Sequence, residues 1–432
     1  MPAEAPGGGG ATLASPGRPV HRRRATCRAC GAARLRSFLA LGPQPLANAF
    51  LRGPDGFADE ARYPLDLCLC EGCALVQLAD VIDPEVLFRD YIYVTGISET
   101  IATHNKAYAR TVAGLLGLTA NDLVVELASN DGSLLACFRD LGVRTLGVEP
   151  ATNIAAIARE HGLETLNEFF DAELGARIRE THGPARAVIG NNVLAHVDDT
   201  QGFLHGAALL LAPDGLVVAE VPYAGEMLDR LEYDTVYHEH LCYFSVSALL
   251  RLCEAVGLVA VRIDRVPVHG GSLRLYAGLA GHYRAHAADA RALAEAERAN
   301  DGVASPARWE RFARDVAAQK GALLALLRRL KGEGRTLAGY GAPAKGNTLL
   351  NYCGIGPDLL PYTVDRSPWK VGTFTPGTHI PVLPAETLIE RRPDYAMILA
   401  WNLADEIVRQ QREYRRRGGR FILPLPEPVV LA

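Results

Sequence analysis

The chain has 432 residues, which is enough for two or three domains that each bury a core of their own. Its formal net charge of -4 argues against nucleic acid as a partner, because proteins that bind nucleic acid usually carry a basic surplus. Its apolar runs fall short of the roughly 20 residues that cross a bilayer, so we expect no membrane partner and a cytoplasmic protein. In that reducing compartment the nine cysteines are better explained as metal ligands or buried thiols than as disulfides.

The first 24 residues are predicted to form a disordered tail. Residues 6–19 are rich in Gly, Ala and Pro, a composition that buries too little apolar surface to fold. The basic run Arg22–Arg24 follows this stretch. We interpret it as a solvated part of the tail rather than as a docking patch.

Two C-x-x-C pairs predict a zinc-binding domain over residues 25–90. Cys27 with Cys30, and Cys70 with Cys73, supply four thiolates that complete a closed tetrahedral shell, so the metal is expected to be structural. The 39 residues between the pairs exceed the usual spacer of about 15 to 20. Cys68 competes for one ligand position, but only Cys70 has the two-residue gap to Cys73. A thioredoxin-like redox pair fits less well, because neither pair opens a βαβ unit.

Alternating strands and helices predict a doubly wound sheet over residues 91–280. The segments 122–127 and 144–149 have the pattern of parallel strands joined by a helix, and ligands bind at the carboxyl ends of such strands. The loop between them lacks the G-x-G-x-x-G of a dinucleotide site and carries acids instead. Acids repel a pyrophosphate but suit a cationic sulfonium with an amino-acid tail. The domain therefore resembles a class I S-adenosylmethionine-dependent methyltransferase, with any other Rossmann-like domain as the alternative.

Eight residues are candidates for binding S-adenosylmethionine. Glu149 lies 23 residues after Glu126, where it can accept hydrogen bonds from both ribose hydroxyls. A buried strand that ends at Asn191 and Asn192 would bring two amides to the same site. The predicted cofactor residues are Glu126, Ala128, Asn130, Asp131, Gly132, Glu149, Asn191 and Asn192.

A second α/β unit is predicted over residues 281–432. Two helices precede a strand, and the loop Gly341–Thr348 follows it. The loop is not a Walker A motif, because Lys345 precedes the second glycine, but its N–H groups, Lys345 and Asn347 could hold a diphosphate. An alternative interpretation makes it a nicotinamide site with Asp365 on the ribose.

The run Tyr237–His240 gathers a phenol, two imidazoles and a carboxylate. Such groups are costly to place together unless they transfer protons or bind a metal. The H-E-H spacing lacks the i, i+4 pattern of H-E-x-x-H zinc sites. Proton transfer is therefore favoured over metal binding for this run.

This run is one of a series of motifs whose order resembles the deoxysugar C-methyltransferases of antibiotic biosynthesis, the group of the tetronitrose and mycarose C-3 enzymes. The resemblance covers everything after about residue 25. The motifs are Cys27/Cys30/Cys70/Cys73, Tyr91–Tyr93 with His104, Glu126–Gly132, Asn191–His196, Tyr237–His240, His269–Arg274, Gly339–Asn347 and Asp394–Asn402.

The resemblance implies an α/β chain with an N-terminal zinc-binding module, a central class I methyltransferase domain and a C-terminal Rossmann-like domain that contributes to nucleotide-sugar binding. The implied reaction transfers a methyl group from S-adenosylmethionine to a carbon beside the ketone of a dTDP-4-keto-deoxysugar. C-3 is favoured, and C-5 stays an alternative because the family contains both kinds of enzyme.

The resemblance also implies site residues. His240 stands at the position of the family's proposed base. The other active-site positions of the family correspond to Tyr91, His196, Tyr237 and Glu239. The residues expected to contact the substrate are Tyr93, Arg274, Gly341, Lys345 and Asn347.

The chemistry favours the same assignment. A carbon attacks a sulfonium methyl group once a base beside a ketone has converted it to an enolate, and histidine has a suitable pKa for that base. We assign proton abstraction to His240 and orientation of an imidazole or a sugar hydroxyl to Glu239. Tyr91, Tyr237 and His196 could donate hydrogen bonds to the enolate oxygen. No metal is needed at the reacting carbon.

Other functions stay open on the sequence. An NAD-dependent sugar-nucleotide oxidoreductase would use the Gly339–Gly346 loop, and oxygen or nitrogen methylation could use the same histidines. A non-catalytic zinc-ribbon adaptor is a further alternative, although the charge balance weighs against a nucleic-acid groove. The motifs determine neither the sugar nor the oligomeric state, and a monomer is the default expectation.

Overall fold

Three larger sheets organise the chain. The computed structural model describes residues 19–91, 99–268, 270–286, 288–300 and 302–431. Sheets of four, seven and six strands lie in the amino-terminal, central and carboxyl-terminal units, and a two-stranded ribbon accompanies the first of them. The predicted α/β architecture with a zinc-binding, a methyltransferase and a C-terminal unit is confirmed. The exact limits of the three domains stay predictions.

The amino-terminal unit is built from short antiparallel strands. Its elements are β1 (His21–Arg23), β2 (Leu35–Ala40), β3 (Asp66–Cys70), β4 (Val76–Leu78), β5 (Asp80–Ile82) and helix α1 (Pro84–Phe88). Strands β2, β3 and β4 form a meander, and β1 pairs with β5.

The end of the predicted disordered tail is ordered, so that prediction was wrong for residues 19–24. Strand β1 makes a ladder with β5, and the guanidinium groups of Arg22, Arg24 and Arg28 surround the carboxylate of Asp198 in the central unit. The ladder and the shared carboxylate offset the entropy lost on ordering this segment. The residues before it lie outside the described part of the chain.

The central unit alternates strands and helices. Its strands are β6 (Leu123–Leu127), β7 (Arg144–Val148), β8 (Thr165–Leu166), β9 (Ala185–Asn191), β10 (Leu211–Pro222), β11 (Cys242–Tyr243), β12 (Leu258–Val266) and β13 (Ser272–Leu279). Its helices are α2 (Glu99–Leu116), α3 (Ser133–Arg139), α4 (Thr152–Glu160), α5 (Ala172–His182), α6 (Thr200–Leu210), α7 (Ala224–Asp229), α8 (Val246–Ala255) and α9 (Ala280–Tyr283).

The central sheet has the order β12-β13-β10-β9-β6-β7-β8. Strands β6 to β10 are parallel, and β12 and β13 are antiparallel to their neighbours. All five residues of β6 are buried, because helices cover both faces of a parallel sheet. The chain reverses its direction of winding between β6 and β9, and ligands bind outside the carboxyl ends of strands at such a point.

One strand of the central unit pairs with the amino-terminal sheet instead of the central one. The two residues of β11 pair with β4, which gives the amino-terminal sheet the order β11-β4-β3-β2. The Leu241 N–H donates to the Ala195 carbonyl, and the Leu78 N–H donates to the Leu241 carbonyl. The segment that contains Tyr237–His240 is therefore held between the zinc-binding unit and the central sheet.

The carboxyl-terminal unit opens with two helices and continues as a second parallel sheet. Its strands are β14 (Leu337–Tyr340), β15 (Thr363–Asp365), β16 (Val382–Pro384), β17 (Tyr395–Ile398), β18 (Arg420–Leu423) and β19 (Val429–Val430). Its helices are α10 (Ala288–Asn300), α11 (Pro306–Gly332), α12 (Ala344–Cys353), α13 (Thr387–Arg391), α14 (Ala404–Gln410) and α15 (Arg412–Arg416). The sheet order is β16-β15-β14-β17-β18-β19, with only the last pair antiparallel.

The first loop of the carboxyl-terminal sheet is shorter than predicted. Helix α12 begins at Ala344 after an N-cap at Pro343, so Lys345 and Asn347 lie in its first turn. Pro343 has a φ of -75° and a ψ of 160°, the extended conformation that is usual for an N-cap residue.

The three units share apolar packing. A single core cluster contains buried residues of the amino-terminal sheet, of the central sheet and of α11 and α12. Among the described residues, no helix combines the length and apolar character that a membrane crossing requires.

Candidate active site

A large cavity lies where the three units meet, with a volume of about 1230 Å³. Sites for one drug-sized ligand are typically about 300 to 1,000 Å³, so this cavity has room for more than one small ligand. Its wall includes the ends of β6, β7 and β9, residues from the Tyr237–His240 segment and the start of α12.

The loop after β6 turns sharply along the cavity wall. Ala128 and Asn130 have φ values of 53° and 50° and line the cavity. Asp131 and Gly132, which were also predicted to bind the cofactor, do not line it. Asp131 accepts the Ser133 N–H at the start of α3, with 3.2 Å from Oδ1 to N.

Packing explains the glycine of this loop. Gly132 has a φ of 76°, and a Cβ at this position would lie 2.2 Å from Leu163 Cδ1. A larger residue would clash there as well as adopt a strained backbone conformation. Gly132 therefore allows the start of α3 to pack closely against Leu163, and its role is packing rather than contact with a ligand.

Two buried acids face the cavity beside this loop. Glu149 accepts the N–H groups of Asn130 and Ala151, each at 2.8 Å, which fixes its carboxylate at the end of β7. Burial raises the pKa of Glu149, and these two N–H groups oppose that rise. Glu126 Oε2 is buried without a hydrogen-bond partner, and burial raises the pKa of Glu126 well above its usual range. An unpaired buried carboxyl oxygen on a cavity wall fits a ligand that carries a cation or a hydrogen-bond donor.

The predicted amides at the end of β9 also line the cavity. Asn191 Oδ1 accepts the Glu220 N–H at 3.2 Å, and the Asn192 N–H donates to the Glu220 carbonyl at 2.8 Å. Asn192 has a φ of 56°, so the chain turns here towards the short 3-10 helix Leu194–His196.

Sequence reasoning missed an aromatic pair on the same wall. Phe169 and Phe170 follow β8 and line the cavity, and the Arg89 guanidinium lies 4.9 Å from the centre of the Phe169 ring. The position of these rings, just after a strand of a doubly wound sheet, was a usable sequence signal.

His240 and its neighbours form the opposite wall. The His240 Nδ1 lies 3.0 Å from the Thr235 carbonyl, which can only accept, so Nδ1 carries the proton. The His240 Nε2 is therefore a lone-pair acceptor, and the Tyr237 hydroxyl lies 2.7 Å from it. The His196 ring packs edge-on against His240 with 4.8 Å between the ring centres. Burial lowers the pKa of His196 to about 4, so this imidazole is neutral at neutral pH.

Glu239 lies just beneath the wall rather than on it. Its side chain is buried, and its two oxygens accept hydrogen bonds from Asn48 Nδ2 at 2.7 Å and from the Tyr91 hydroxyl at 3.0 Å. Asn48 and Tyr91 do line the cavity. Burial raises the pKa of Glu239 to about 7, while Asn48, Tyr91 and the charge of Lys370 oppose the rise.

His238 and His240 occupy different environments. His238 is buried, does not line the cavity, and places its Nε2 3.1 Å from the Pro64 carbonyl and 3.3 Å from the Tyr63 carbonyl. The geometry therefore separates two histidines that the sequence could not rank without the family resemblance.

The predicted substrate residues also divide into residues that line the cavity and residues that do not. Lys345 lines the cavity, with its Nζ 5.2 Å from the centre of the Trp401 ring. Gly341 does not line it, and Asn347 is buried with its Nδ2 2.7 Å from the Ala47 carbonyl. Arg274 forms an ion pair with Glu220, at 2.6 Å, below the wall. Tyr93 lies outside the described residues.

Sequence reasoning also missed ionisable residues on the wall, among them Glu232 and Lys370. Burial raises the pKa of Glu232 to about 8, and its Oε1 is buried without a partner. Lys370 donates to the Ala342 carbonyl at 2.9 Å, and burial lowers its pKa while Asp365 and Glu239 oppose that change. Neither residue belongs to a local motif, so there was no sequence signal from which to predict them.

The metal centre lies in the amino-terminal unit. The four sulfur atoms of Cys27, Cys30, Cys70 and Cys73 all lie within 4.8 Å of one another, with 3.6 Å between Cys27 and Cys73. Zn–S bonds of about 2.3 Å in a tetrahedron place sulfur atoms about 3.8 Å apart, so this donor set fits zinc. Cys68 is not part of the cluster, which settles the competition for the third ligand in favour of Cys70.

Family models match three consecutive parts of the chain. A zinc binding domain model matches residues 27–88, a methyltransferase domain model matches residues 102–263, and a C-methyltransferase C-terminal domain model matches residues 267–426. The C-methyltransferase NovU of Streptomyces niveus is 40% identical over 407 residues, which cover 94% of this chain and 96% of NovU. The chain belongs to the C-methyltransferase family.

Membership of the C-methyltransferase family confirms three predictions. The chain is an S-adenosylmethionine-dependent C-methyltransferase, S-adenosylmethionine is its methyl donor, and zinc is the metal of its amino-terminal unit. The four cysteines lie within the part that the zinc binding model matches. The site residues that sequence reasoning proposed stay proposals.

Solved structures match less than half of the chain, at low identity. Magnesium protoporphyrin IX methyltransferase from Synechocystis PCC 6803 is 14% identical, with a TM-score of 0.33, and the match covers 44% of this chain and 88% of that one. The PH0226 protein of Pyrococcus horikoshii OT3 is also 14% identical, with a TM-score of 0.35 and coverage of 43% and 94%.

Proposed function

We propose that the chain transfers the methyl group of S-adenosylmethionine to a carbon beside the ketone of a dTDP-4-keto-deoxysugar, with C-3 as the favoured position, in the biosynthesis of an antibiotic deoxysugar. C-5 methylation is the alternative within the same chemistry. The observation that carries the proposal is the His240 imidazole, whose basic nitrogen belongs to the same cavity as the acids at the ends of β6 and β7.

The central sheet holds the methyl donor. Glu149 is placed to accept hydrogen bonds from ribose hydroxyls, and Phe169 and Phe170 offer apolar faces to the adenine. Glu126 has a free carboxyl oxygen for the cationic end of the ligand. When bound, the sulfonium supplies an electrophilic methyl group.

His240 removes the proton that makes the substrate carbon nucleophilic. The Thr235 carbonyl fixes its tautomer, so Nε2 carries the lone pair that accepts a proton. Tyr237 donates to that nitrogen before substrate binds and can turn its hydroxyl to the substrate oxygen afterwards.

Neutral donors stabilise the enolate oxygen. Tyr91, Tyr237 and His196 all line the cavity, and burial keeps His196 uncharged. The Tyr91 hydroxyl donates to Glu239 before substrate binds, so it has to turn to the substrate oxygen to act as a donor there. Oriented hydrogen bonds in a site that excludes water lower the energy of a developing oxyanion without a metal.

The carboxyl-terminal unit contributes to the nucleotide end of the substrate. Lys345 brings a positive charge to the wall, and the Trp401 ring beside it offers a surface on which a base can stack. Trp401 is held in place because its Nε1 donates to Asp234 Oδ2 at 2.6 Å.

One experiment tests the proposed function directly. The enzyme is incubated with S-adenosylmethionine and a panel of dTDP-4-keto sugars in deuterated buffer, and the new methyl group is located by NMR. A methyl group on C-3 supports the proposal, and one on C-5 selects the alternative. A methyl group on oxygen or nitrogen, or no methylation of any member of the panel, would contradict it.

A further inference from the structure

The cavity receives a side chain from the zinc-binding unit that no motif predicted. Asn48 lies between the two cysteine pairs and lines the cavity next to Tyr91. Its Nδ2 donates to Glu239 Oε1 at 2.7 Å. Glu239 belongs to the central unit, so this hydrogen bond crosses from one unit to another at the reacting centre.

Chemistry decides which way the Asn48 carboxamide points. The Asn48 Nδ2, which can only donate, faces Glu239 Oε1, so the amide oxygen points away from Glu239 and can accept from another partner. The Tyr91 hydroxyl donates to the second oxygen of Glu239 at 3.0 Å. Glu239 therefore orients two side chains of the wall at once, although it does not line the cavity itself.

The backbone around Asn48 is fixed from the other side by the carboxyl-terminal unit. The Asn347 side chain donates to the Ala47 carbonyl at 2.7 Å, and Leu51 exchanges two backbone hydrogen bonds with Phe374 at 3.0 and 2.7 Å. A binding group held at its backbone and at its side chain loses little entropy when a ligand arrives.

We propose that Asn48 is a substrate-binding residue whose carboxamide oxygen accepts a hydrogen bond from a hydroxyl or amino group of the sugar. This inference rests on the proposed function, because it needs a sugar beside His240. It assigns Asn347 a positioning role through Ala47 instead of the direct substrate contact that the sequence suggested.

The same arrangement accounts for the long spacer of the zinc-binding unit. The 39 residues between the cysteine pairs exceed what a short zinc ribbon needs. Part of the excess forms the Ala47–Leu51 segment, which runs from the amino-terminal sheet to the cavity wall. The metal then stabilises a unit that supplies a contact at the active site.

Charged groups around Glu239 limit how the test is designed. Lys370 approaches it from the carboxyl-terminal unit and Tyr91 from the segment after α1, and Asp365 lies near Lys370. Asn48→Asp would place a second carboxylate here and disturb all of them. Asn48→Ala removes the amide without adding a charge and is the primary variant.

Calorimetry with dTDP and with a dTDP-4-keto-6-deoxyhexose measures the contact. For Asn48→Ala we expect about a tenfold weaker affinity for the sugar nucleotide, with the affinity for dTDP and for S-adenosylmethionine within twofold of wild type. Gln44→Ala is the matched control, because it truncates a carboxamide of the same unit that bonds the Leu41 carbonyl and does not line the cavity. This control should bind all three ligands as wild type does.

The outcomes separate the two levels of inference. Wild-type affinity of Asn48→Ala for the sugar nucleotide would overturn the Asn48 contact and leave the proposed function intact. Equal weakening for dTDP and for the sugar nucleotide would also overturn it, because the contact would not be to the sugar. A wild-type enzyme that binds no dTDP-linked sugar would overturn the proposed function itself. If Asn48→Ala misfolds or loses zinc, Asn48→Ser provides the same comparison with a smaller change in polarity.

Discussion

The loops after β6 and β14 share one construction and differ in surroundings. In the central unit, Glu149 at the end of the next strand accepts the N–H groups of Asn130 and Ala151 at 2.8 Å each. In the carboxyl-terminal unit, Asp365 occupies the equivalent strand end and accepts the N–H groups of Ala342 and Ser367 at 2.7 and 2.8 Å.

Only the first of these two acids lines the cavity. The loop after β6 brings Ala128 and Asn130 to the wall. In the loop after β14, the predicted substrate residues were Gly341, Lys345 and Asn347, and of these three only Lys345 lines the cavity. A loop at the carboxyl end of the first strand of a parallel sheet is therefore a candidate ligand site. The packing around that loop decides whether a ligand can reach it.

The largest expected effect comes from a change that leaves both loops intact. His240→Ala should lower kcat about a thousandfold, because the positioned base is lost, while S-adenosylmethionine affinity stays near wild type. Turnover assays and calorimetry measure the two quantities. The matched control is His238→Asn, which should affect thermal stability more than kcat, since His238 lies off the wall. Full turnover in His240→Ala would exclude it as the base.

The two strand-end acids allow a direct test of the comparison. Glu149→Ala should weaken S-adenosylmethionine binding about a hundredfold, because it removes the proposed acceptor of the ribose hydroxyls and leaves two N–H groups without a partner. Asp365→Ala should leave that affinity within twofold of wild type and lower only the melting temperature. Equal loss of affinity in both variants would break the distinction between the two loops.

Removal of zinc tests how the amino-terminal unit contributes to stability and to substrate binding. Chelation should lower the melting temperature, since four thiolates without a metal no longer hold the two cysteine pairs together. Sugar-nucleotide affinity should fall with it, about tenfold through the loss of one oriented hydrogen bond. Melting curves and calorimetry before chelation, after it and after zinc is restored provide the measurement. An unchanged melting temperature in zinc-free protein would contradict a structural role.

The second loop can be tested through its charged residue on the wall, Lys345. Lys345→Met should weaken sugar-nucleotide binding about tenfold and leave S-adenosylmethionine binding unchanged, because a charge near the diphosphate is removed. Lys331→Met, which changes an exposed lysine of α11, is the control for altered net charge. The interpretation would be wrong if Lys345→Met weakened binding of the methyl donor as strongly as that of the sugar nucleotide.

The last prediction concerns how the stability of the fold depends on pH. The folded protein raises the pKa of Glu232 to about 8, so the folded state holds a proton that the unfolded chain has already released. Stability without substrate should therefore fall as the pH rises from about 4.5 to 8, by up to about 1.4 kcal/mol per pH unit. Denaturation across this range should show a shallower slope for Glu232→Gln. Identical slopes would mean that Glu232 is charged in the folded protein.

The sequence by itself determined the parts of the molecule that depend on local pattern. The four zinc ligands follow from two C-x-x-C pairs, and the strands around Glu126 and Glu149 follow from buried apolar runs. Local patterns also predicted the three units and the methyl donor, and the family resemblance implied the same. Each of these signals lies within a few residues, so chain spacing is enough to define it.

Tertiary structure decided which of the candidate residues share a surface. His240 lies on the cavity wall and His238 beneath it. Asn347 bonds the Ala47 carbonyl and Arg274 pairs with Glu220, so both make contacts within the protein. The tertiary structure also brought Asn48 from the zinc spacer and Lys370 from the carboxyl-terminal unit to the same cavity. These placements depend on how three units pack together, and contacts between residues far apart in the chain leave no local pattern from which they could be predicted.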